Sequence, residues 1–141
     1  MTSSDEQLER TSQALERGRG LYAAGRFFEA HEVWEEAWRV ETGPTRQLLQ
    51  GLILAAAAYH KMTVQRHAGG MVRLLDKALE RLQPLPDVFA GLELVPFRAA
   101  LARSREEALA WLAGGPAPSS PARLDSSLTD ARRLQAPEEG L

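Results

Sequence analysis

The sequence contains no cysteine, which removes disulfides, thiol nucleophiles and cysteine-ligated metal sites together. It also lacks a long apolar run. The longest, Leu52 to Tyr59, is far shorter than the roughly 20 residues needed to cross a bilayer, so it is typical of a buried helix segment. The start of the chain is polar and acidic, without the basic and apolar regions of a secretory signal. We therefore expect a cytoplasmic protein with no membrane partner.

An excess of one charge is also missing. The 17 basic and 19 acidic residues give a formal net charge of -2, and neither sign forms a long run. Domains that bind nucleic acid carry a basic patch or stripe to meet the phosphates, so we expect no nucleic-acid partner. At 141 residues the chain has the length of one domain with a single hydrophobic core.

Apolar residues recur at helical spacing through most of the chain. The strongest stripe falls within a narrow arc at about 100° per residue; it consists of Phe27, Ala30, His31, Trp34, Ala37 and Trp38. Glycine and proline divide the pattern into segments, and the third segment is apolar nearly all round, which is typical of a central helix. The pattern predicts an all-α fold, a compact array of about five helices with antiparallel neighbours.

The composition changes near Gly114, where proline, serine and alanine replace the large apolar residues. We predict a single helical domain over residues 1–113 and a Pro/Ser-rich C-terminal tail over residues 114–141. Within the tail, Ser120 and Pro121 are suitable for a helix start. A short helix near residues 121–134 is therefore expected to dock on the domain or on another subunit.

Residues 18–37 resemble one unit of the tetratricopeptide repeat. The matching positions alternate between small and large side chains; they are Gly18, Leu21, Gly25, Phe27, Ala30, Trp34 and Ala37. Small residues let two antiparallel helices approach, and aromatic residues fill the space between them. A second copy is poor, which excludes an extended solenoid of about three or more repeats. The first two helices are predicted to form a tetratricopeptide-like hairpin.

Three segments carry a resemblance to a known family. Residues 25–38 read GRFFEAHEVWEEAW, residues 49–61 read LQGLILAAAAYHK, and residues 73–79 read RLLDKAL. Across residues 15 to 112 the chain resembles the family known as domain of unknown function number 309. That resemblance implies a small helical array and no established reaction.

The same resemblance marks five polar positions as characteristic, namely His31, Glu32, Glu35, Gln50 and His60. Leu54 stands where a second glutamine is common in the family. We therefore assign no role to a second amide in this chain.

His31 and Glu35 are one helical turn apart, so their side chains are neighbours. In the interpretation that we favour, both are structural. His31 lies at the seam of the hairpin, packs on Trp34 and donates a ring proton to Glu35 or to a helix carbonyl. Gln50 links helices through its amide, and His60 is either part of this buried polar group or exposed at the end of its helix.

The alternative is a metal site. His31, Glu35 and His60 would bind a divalent transition metal, and Glu32 would act as general base in a hydrolase or lyase. Neither the His-Glu-x-x-His motif nor the Glu-x-x-His motif of di-iron bundles is present. A third hypothesis is a small-molecule pocket between the second and third helices, where a histidine holds a carboxylate.

We predict from these patterns a small helical protein that is a non-enzymatic interaction or self-association module. Its expected partner is another protein or a second copy of the chain, and no cofactor is expected unless the metal alternative holds. The basis of this preference is the tetratricopeptide-like hairpin, the balanced charge, and the missing Ser-His-Asp order and phosphate-binding glycine loop. The sequence leaves open whether the chain is an enzyme.

Overall fold

The computed structural model describes residues 3–127. This part of the chain forms five α-helices, one π-helical turn and one two-stranded hairpin. In chain order the elements are α1 (Ser3–Ala23), α2 (Phe27–Val40), α3 (Gly43–His60), the π-helical turn (Lys61–Gln65), α4 (Ala68–Leu82), β1 (Val88–Phe89), β2 (Leu92–Glu93) and α5 (Leu94–Leu112). The predicted all-α array of five helices is confirmed.

Each helix packs on the next one along the chain, from α1 through α5. Phe28 at the start of α2 contacts His60 at the end of α3. Gln47 near the start of α3 donates to the carbonyl of Arg81 near the end of α4, at 2.9 Å. These pairs show that the neighbours are antiparallel, as short loops require.

The central position of α3 follows from its alanines. Ala55, Ala56 and Ala58 are completely buried, because α3 packs against α2 on one side and α4 on the other. Small side chains let both neighbouring backbones approach. The prediction that the third helix is central is confirmed. None of the helices described between residues 3 and 127 is sufficiently long and apolar to span a membrane.

Trp34 defines the seam between α1 and α2. Its side chain is completely buried, and its indole N–H donates to the carbonyl of Leu15 at 3.4 Å. The indole lies directly over Gly18, where a β-carbon would overlap the ring. This contact explains why a glycine stands inside a helix that it would otherwise weaken.

Tyr22 joins the seam to the rest of the core. Its ring contacts those of Phe27, Trp34, Tyr59 and Phe97, with centroid distances from 5.3 to 6.2 Å. Four helices therefore meet in one aromatic cluster. Burial raises the pKa of Tyr22 well above its ordinary value, and the charge that Tyr59 would carry raises it further.

Tyr59 is the second buried phenol of this cluster, and its hydroxyl shares a 2.7 Å hydrogen bond with Ser104. Burial also raises the pKa of Tyr59, and the bond to Ser104 opposes part of that rise. The hydroxyl groups of Tyr59 and Ser104 are each other's hydrogen-bond partner. Buried polar groups are stable when they are paired in this way.

A hairpin separates α4 from α5 and was not predicted. Val88 pairs with Glu93, and Phe89 pairs with Leu92. The turn has two residues with positive φ, Ala90 and Gly91, which is the backbone form of the tightest hairpin loops. Strands of two residues leave no alternating pattern in the sequence, and alanine is an unusual residue at such a position.

The chain after α5 returns to the domain as an extended segment. Residues 121–125 are not helical, so the expected tail helix does not begin at Pro121. The reason is that main-chain groups here bond to distant partners: the amide of Glu93 donates to Asp125, and that of Ser127 donates to Gly91. The remainder of the expected helix, from residue 128, lies outside the described residues.

The packing of Trp34 on Gly18 predicts opposite effects for two alanine substitutions in α1. Gly18→Ala should lower the free energy of unfolding by about 1–3 kcal/mol, because its methyl group overlaps the indole. Gly20→Ala is the matched control, since nothing lies within 4 Å of its β-carbon. It should raise stability by about 0.5–1 kcal/mol. Urea denaturation measures both, and equal effects would contradict the described seam.

The two buried phenols predict a loss of stability in alkali. Unfolded tyrosines lose their protons near pH 10, whereas Tyr22 and Tyr59 keep theirs to higher pH in the folded protein. The unfolded state then binds fewer protons, so the free energy of unfolding falls as the pH rises above about 10. Each phenol contributes a slope of at most about 1.4 kcal/mol per pH unit.

Urea denaturation at a series of pH values measures this slope, and Tyr59→Phe should reduce it. These are the only two tyrosines in the sequence, so tyrosinate absorbance reports on them alone. Ionisation of both at the ordinary pH in the folded protein would contradict the burial described here.

Candidate functional site

One side of α2 carries the residues that the sequence singles out. Phe28, His31, Glu35 and Trp38 follow one another at intervals of three or four residues, so they line a single edge of the helix beside α3. We call these four residues the α2 face. The deeply buried residues of α2, including Trp34, lie on the adjacent side against α1 and the core.

His31 is closer to the surface than predicted. Its ring stacks on that of Phe28, with centroids 6.1 Å apart and planes 24° apart, and no stacking on the Trp34 ring is found among the described residues. Its Nε2 lies 3.5 Å from an Oε2 atom of Glu35, and the two side chains are 28% and 35% exposed. The predicted pair therefore forms, but as a long, half-exposed contact.

The second ring nitrogen of His31 has no such partner. Nδ1 is buried and receives no hydrogen bond from the residues described here. A proton on Nε2 would be directed at Glu35, whereas a proton on Nδ1 would have no acceptor among the described residues.

His60 reaches the same surface from the end of α3. Its ring lies against Phe28, with centroids 5.8 Å apart. The structure thus brings His31, Glu35 and His60 to one side of the molecule, but Phe28 contacts both imidazoles. Among residues 3–127, no three histidine or acidic side chains lie close enough together to hold a metal ion. The ligand set of the metal hypothesis is not assembled.

The side chain of Glu32 does not lie beside the imidazoles of His31 and His60. It is exposed and lines a cleft of about 570 Å³ between α1 and α2, together with Arg17, Arg26 and Glu35. His31 and His60 do not line that cleft. Glu32 is therefore not placed as a base beside the two imidazoles, because successive residues of a helix point about 100° apart. The small-molecule hypothesis had expected a pocket between α2 and α3 instead.

Gln50 is half-buried on α3, and no hydrogen bond to its amide is found within residues 3–127. The amide that links two helices is that of Gln47, through the bond to Arg81 described above. The two glutamines are one helical turn apart, so the sequence gives no reason to prefer either. The register between α3 and α4 decides which of them meets a carbonyl.

Trp38 and Arg46 form the other end of the surface. The guanidinium of Arg46 lies 4.1 Å from the centroid of the Trp38 ring, which is a cation–π contact. The indole N–H of Trp38 is buried without an acceptor among the described residues. Arg46 was missed by sequence reasoning, since an exposed arginine near a helix start carries no distinctive signal.

Comparison with known proteins places these residues in a recognised sequence family. Residues 15–74 match the family model described as domain of unknown function (DUF309). The match includes every position of the α2 face and also Gln50 and His60. The description of this family states no activity.

Two relatives extend the comparison. An uncharacterized protein of Aquifex aeolicus (strain VF5) is 30% identical over 95 residues, which are 67% of this chain and 28% of that protein. The chain thus spans little more than a quarter of the curated relative that it matches. The crystal structure of a conserved hypothetical protein from Thermus thermophilus is 41% identical, with a TM-score of 0.55, over 67% of this chain and 94% of that one.

The half-exposed contact between His31 and Glu35 predicts a small energetic effect. Glu35→Ala also removes the 2.8 Å ion pair with Arg39, and it should lower the free energy of unfolding by less than about 1 kcal/mol, because solvent screens exposed pairs. Ser104→Ala is the contrasting control, since it leaves the buried Tyr59 hydroxyl without its partner and should cost about 1–3 kcal/mol. Urea denaturation compares the two. A loss of several kcal/mol in Glu35→Ala would mean that the pair is buried in solution.

Proposed function

This chain belongs to the family described as domain of unknown function (DUF309), and we propose that it is a non-enzymatic self-association module in which two copies pair through their α2 faces. The observation that carries the proposal is the symmetry of the face. An aromatic residue stands at each end, at 28 and 38, and a pair made of an imidazole and a carboxylate stands between them, at 31 and 35. Both pairs have their midpoint at position 33.

Such a pattern is complementary to itself. A two-fold axis at the level of Val33 would set the α2 helices of two copies antiparallel, and each residue would then meet its mirror position. Phe28 of one copy would lie against Trp38 of the other, and His31 would lie against Glu35. Both contacts occur twice, which is the arrangement that a closed dimer needs.

The ends of the face support the aromatic contacts. Phe28 is 55% exposed, so a large apolar ring stands in water in the single chain. Arg46 covers Trp38 in the same copy, and a guanidinium attracts the face of an aromatic ring. Burying Phe28 against this pair removes apolar surface from water and adds an aromatic–arginine contact at each end of the interface.

The metal-dependent hydrolase or lyase has less support. Its three proposed ligands do not form a group that could hold an ion within residues 3–127, and its proposed base lines a cleft that neither His31 nor His60 lines. We propose no cofactor. The cytoplasmic location expected from the sequence stays a prediction.

The proposal predicts association that depends on Phe28. Sedimentation velocity over a range of concentrations should show the mass of the wild-type chain doubling, whereas Phe28→Glu should remain a monomer. Val95→Glu is the matched control, because Val95 is 49% exposed on α5, a helix that packs on α4. A wild-type monomer at all concentrations, or equal losses in both variants, would overturn the proposal.

Exchanging the residues at positions 31 and 35 tests the antiparallel register of the two α2 helices. Glu35→His places two histidines opposite each other and should weaken the dimer. The double variant His31→Glu, Glu35→His restores an imidazole–carboxylate pair across the axis and should regain association relative to the single variant. Circular dichroism verifies that each variant keeps its helices. If the double variant associates no better than the single one, the antiparallel register is wrong.

A further inference from the structure

The segment that follows α5 has the burial pattern of a β-strand. Ala122, Leu124 and Ser126 are buried, whereas the residues between them, Arg123 and Asp125, are exposed or half-buried. We call residues 121–127 the strap. Alternation with a period of two means that one side of an extended chain faces the domain.

The strap pairs with β2 of the hairpin through an isolated β-bridge. Ser126 pairs with Leu92 in an antiparallel bridge. The amide of Glu93 donates to the carbonyl of Asp125 at 3.0 Å, and the amide of Ser127 donates to that of Gly91 at 2.9 Å. The outer edge of β2 is thus a template for an extended chain.

The opposite edge of the strap is held by α1. The Tyr22 hydroxyl donates to the carbonyl of Ala122, and the Arg19 guanidinium donates to that of Leu124 at 3.5 Å. All four of these bonds from the domain engage main-chain atoms of the strap. The domain therefore recognises an extended backbone, and the buried side chains add only a requirement for small or apolar residues at alternate positions.

The strap is also separable from the body of the fold. Open clefts of about 430 Å³ and 320 Å³ lie along it, one towards α1 and the other towards α5. It is joined to α5 by a linker over residues 113–120 that contains Gly114, Gly115, Pro116 and Pro118. No element of regular structure in this linker has to unfold for the strap to leave.

We propose that the strap occupies a peptide-binding groove in place of an external ligand. The ligand is an extended segment of a partner protein with small or apolar residues at alternate positions, which adds to β2 as a strand. The strap shows which chemistry the groove accepts. Because it is tethered, its local concentration is high, and it keeps the groove closed to weak competitors.

The test uses the full chain and a labelled synthetic peptide with the sequence of residues 119–127. Leu124→Asp should expel the strap, because a carboxylate cannot be buried in the place of leucine. Fluorescence anisotropy should then show saturable binding at least ten-fold tighter than to the wild-type chain. Arg123→Asp, at an exposed strap position, is the control and should bind as weakly as the wild type. A peptide with Leu124→Asp should not bind.

A folded Leu124→Asp chain that does not bind the peptide would overturn the proposal. If circular dichroism shows that this variant is unfolded, the wild-type chain with a protease site in the linker decides instead. After cleavage, excess peptide should displace the strap fragment while the helical signal persists, and failure of displacement would overturn the proposal. A different pattern of dimers would also overturn the proposal. If dimers persist in Phe28→Glu but disappear in Leu124→Asp, the groove binds the strap of a second copy and not a partner protein.

Discussion

The contact of Trp34 with Gly18 is the constraint on which the arrangement of the other elements depends. A buried indole can occupy the seam between α1 and α2 only where the facing residue has no side chain. This contact fixes the rotation of α2 about its own axis. Consequently Ala30 and Ala37 point into the core, and the edge that carries Phe28 and His31 is turned towards α3. The location of the candidate site is thus decided by packing on a neighbouring side of the helix.

Much of the fold could be predicted because helices repeat every few residues, and the stripe from Phe27 to Trp38 records that period locally. The features that were missed depend on distant contacts. Two-residue strands leave no period, and the turn at Ala90 and Gly91 lacks the usual asparagine or aspartate. The sequence after Ser120 resembled a helix because local propensity favoured one, but hydrogen bonds to β2 and α1 hold residues 121–125 extended.

The candidate site could also be predicted only in part, and the missed contacts again depend on distant residues. The neighbourhood of His31 and Glu35 follows from helical geometry alone and was predicted. That His60 joins them, that Gln47 rather than Gln50 meets a carbonyl, and that Arg46 covers Trp38 all depend on how far α3 slides along its neighbours. If α3 were displaced by one helical turn along its neighbours, other residues of α3 would make these contacts. Sequence periodicity gives the face of a helix but not its axial position, so these partners could not be assigned in advance.

The bond between Tyr22 and Ala122 joins residues that are 100 positions apart, and it has a consequence for biosynthesis. The ribosome completes α1 long before it adds the residue whose carbonyl accepts this proton. Throughout that interval the phenol has only water as a partner, and the aromatic cluster around it is open on one side. A nascent chain can therefore assemble its helices early, but it closes its interior only after residue 122 has been added.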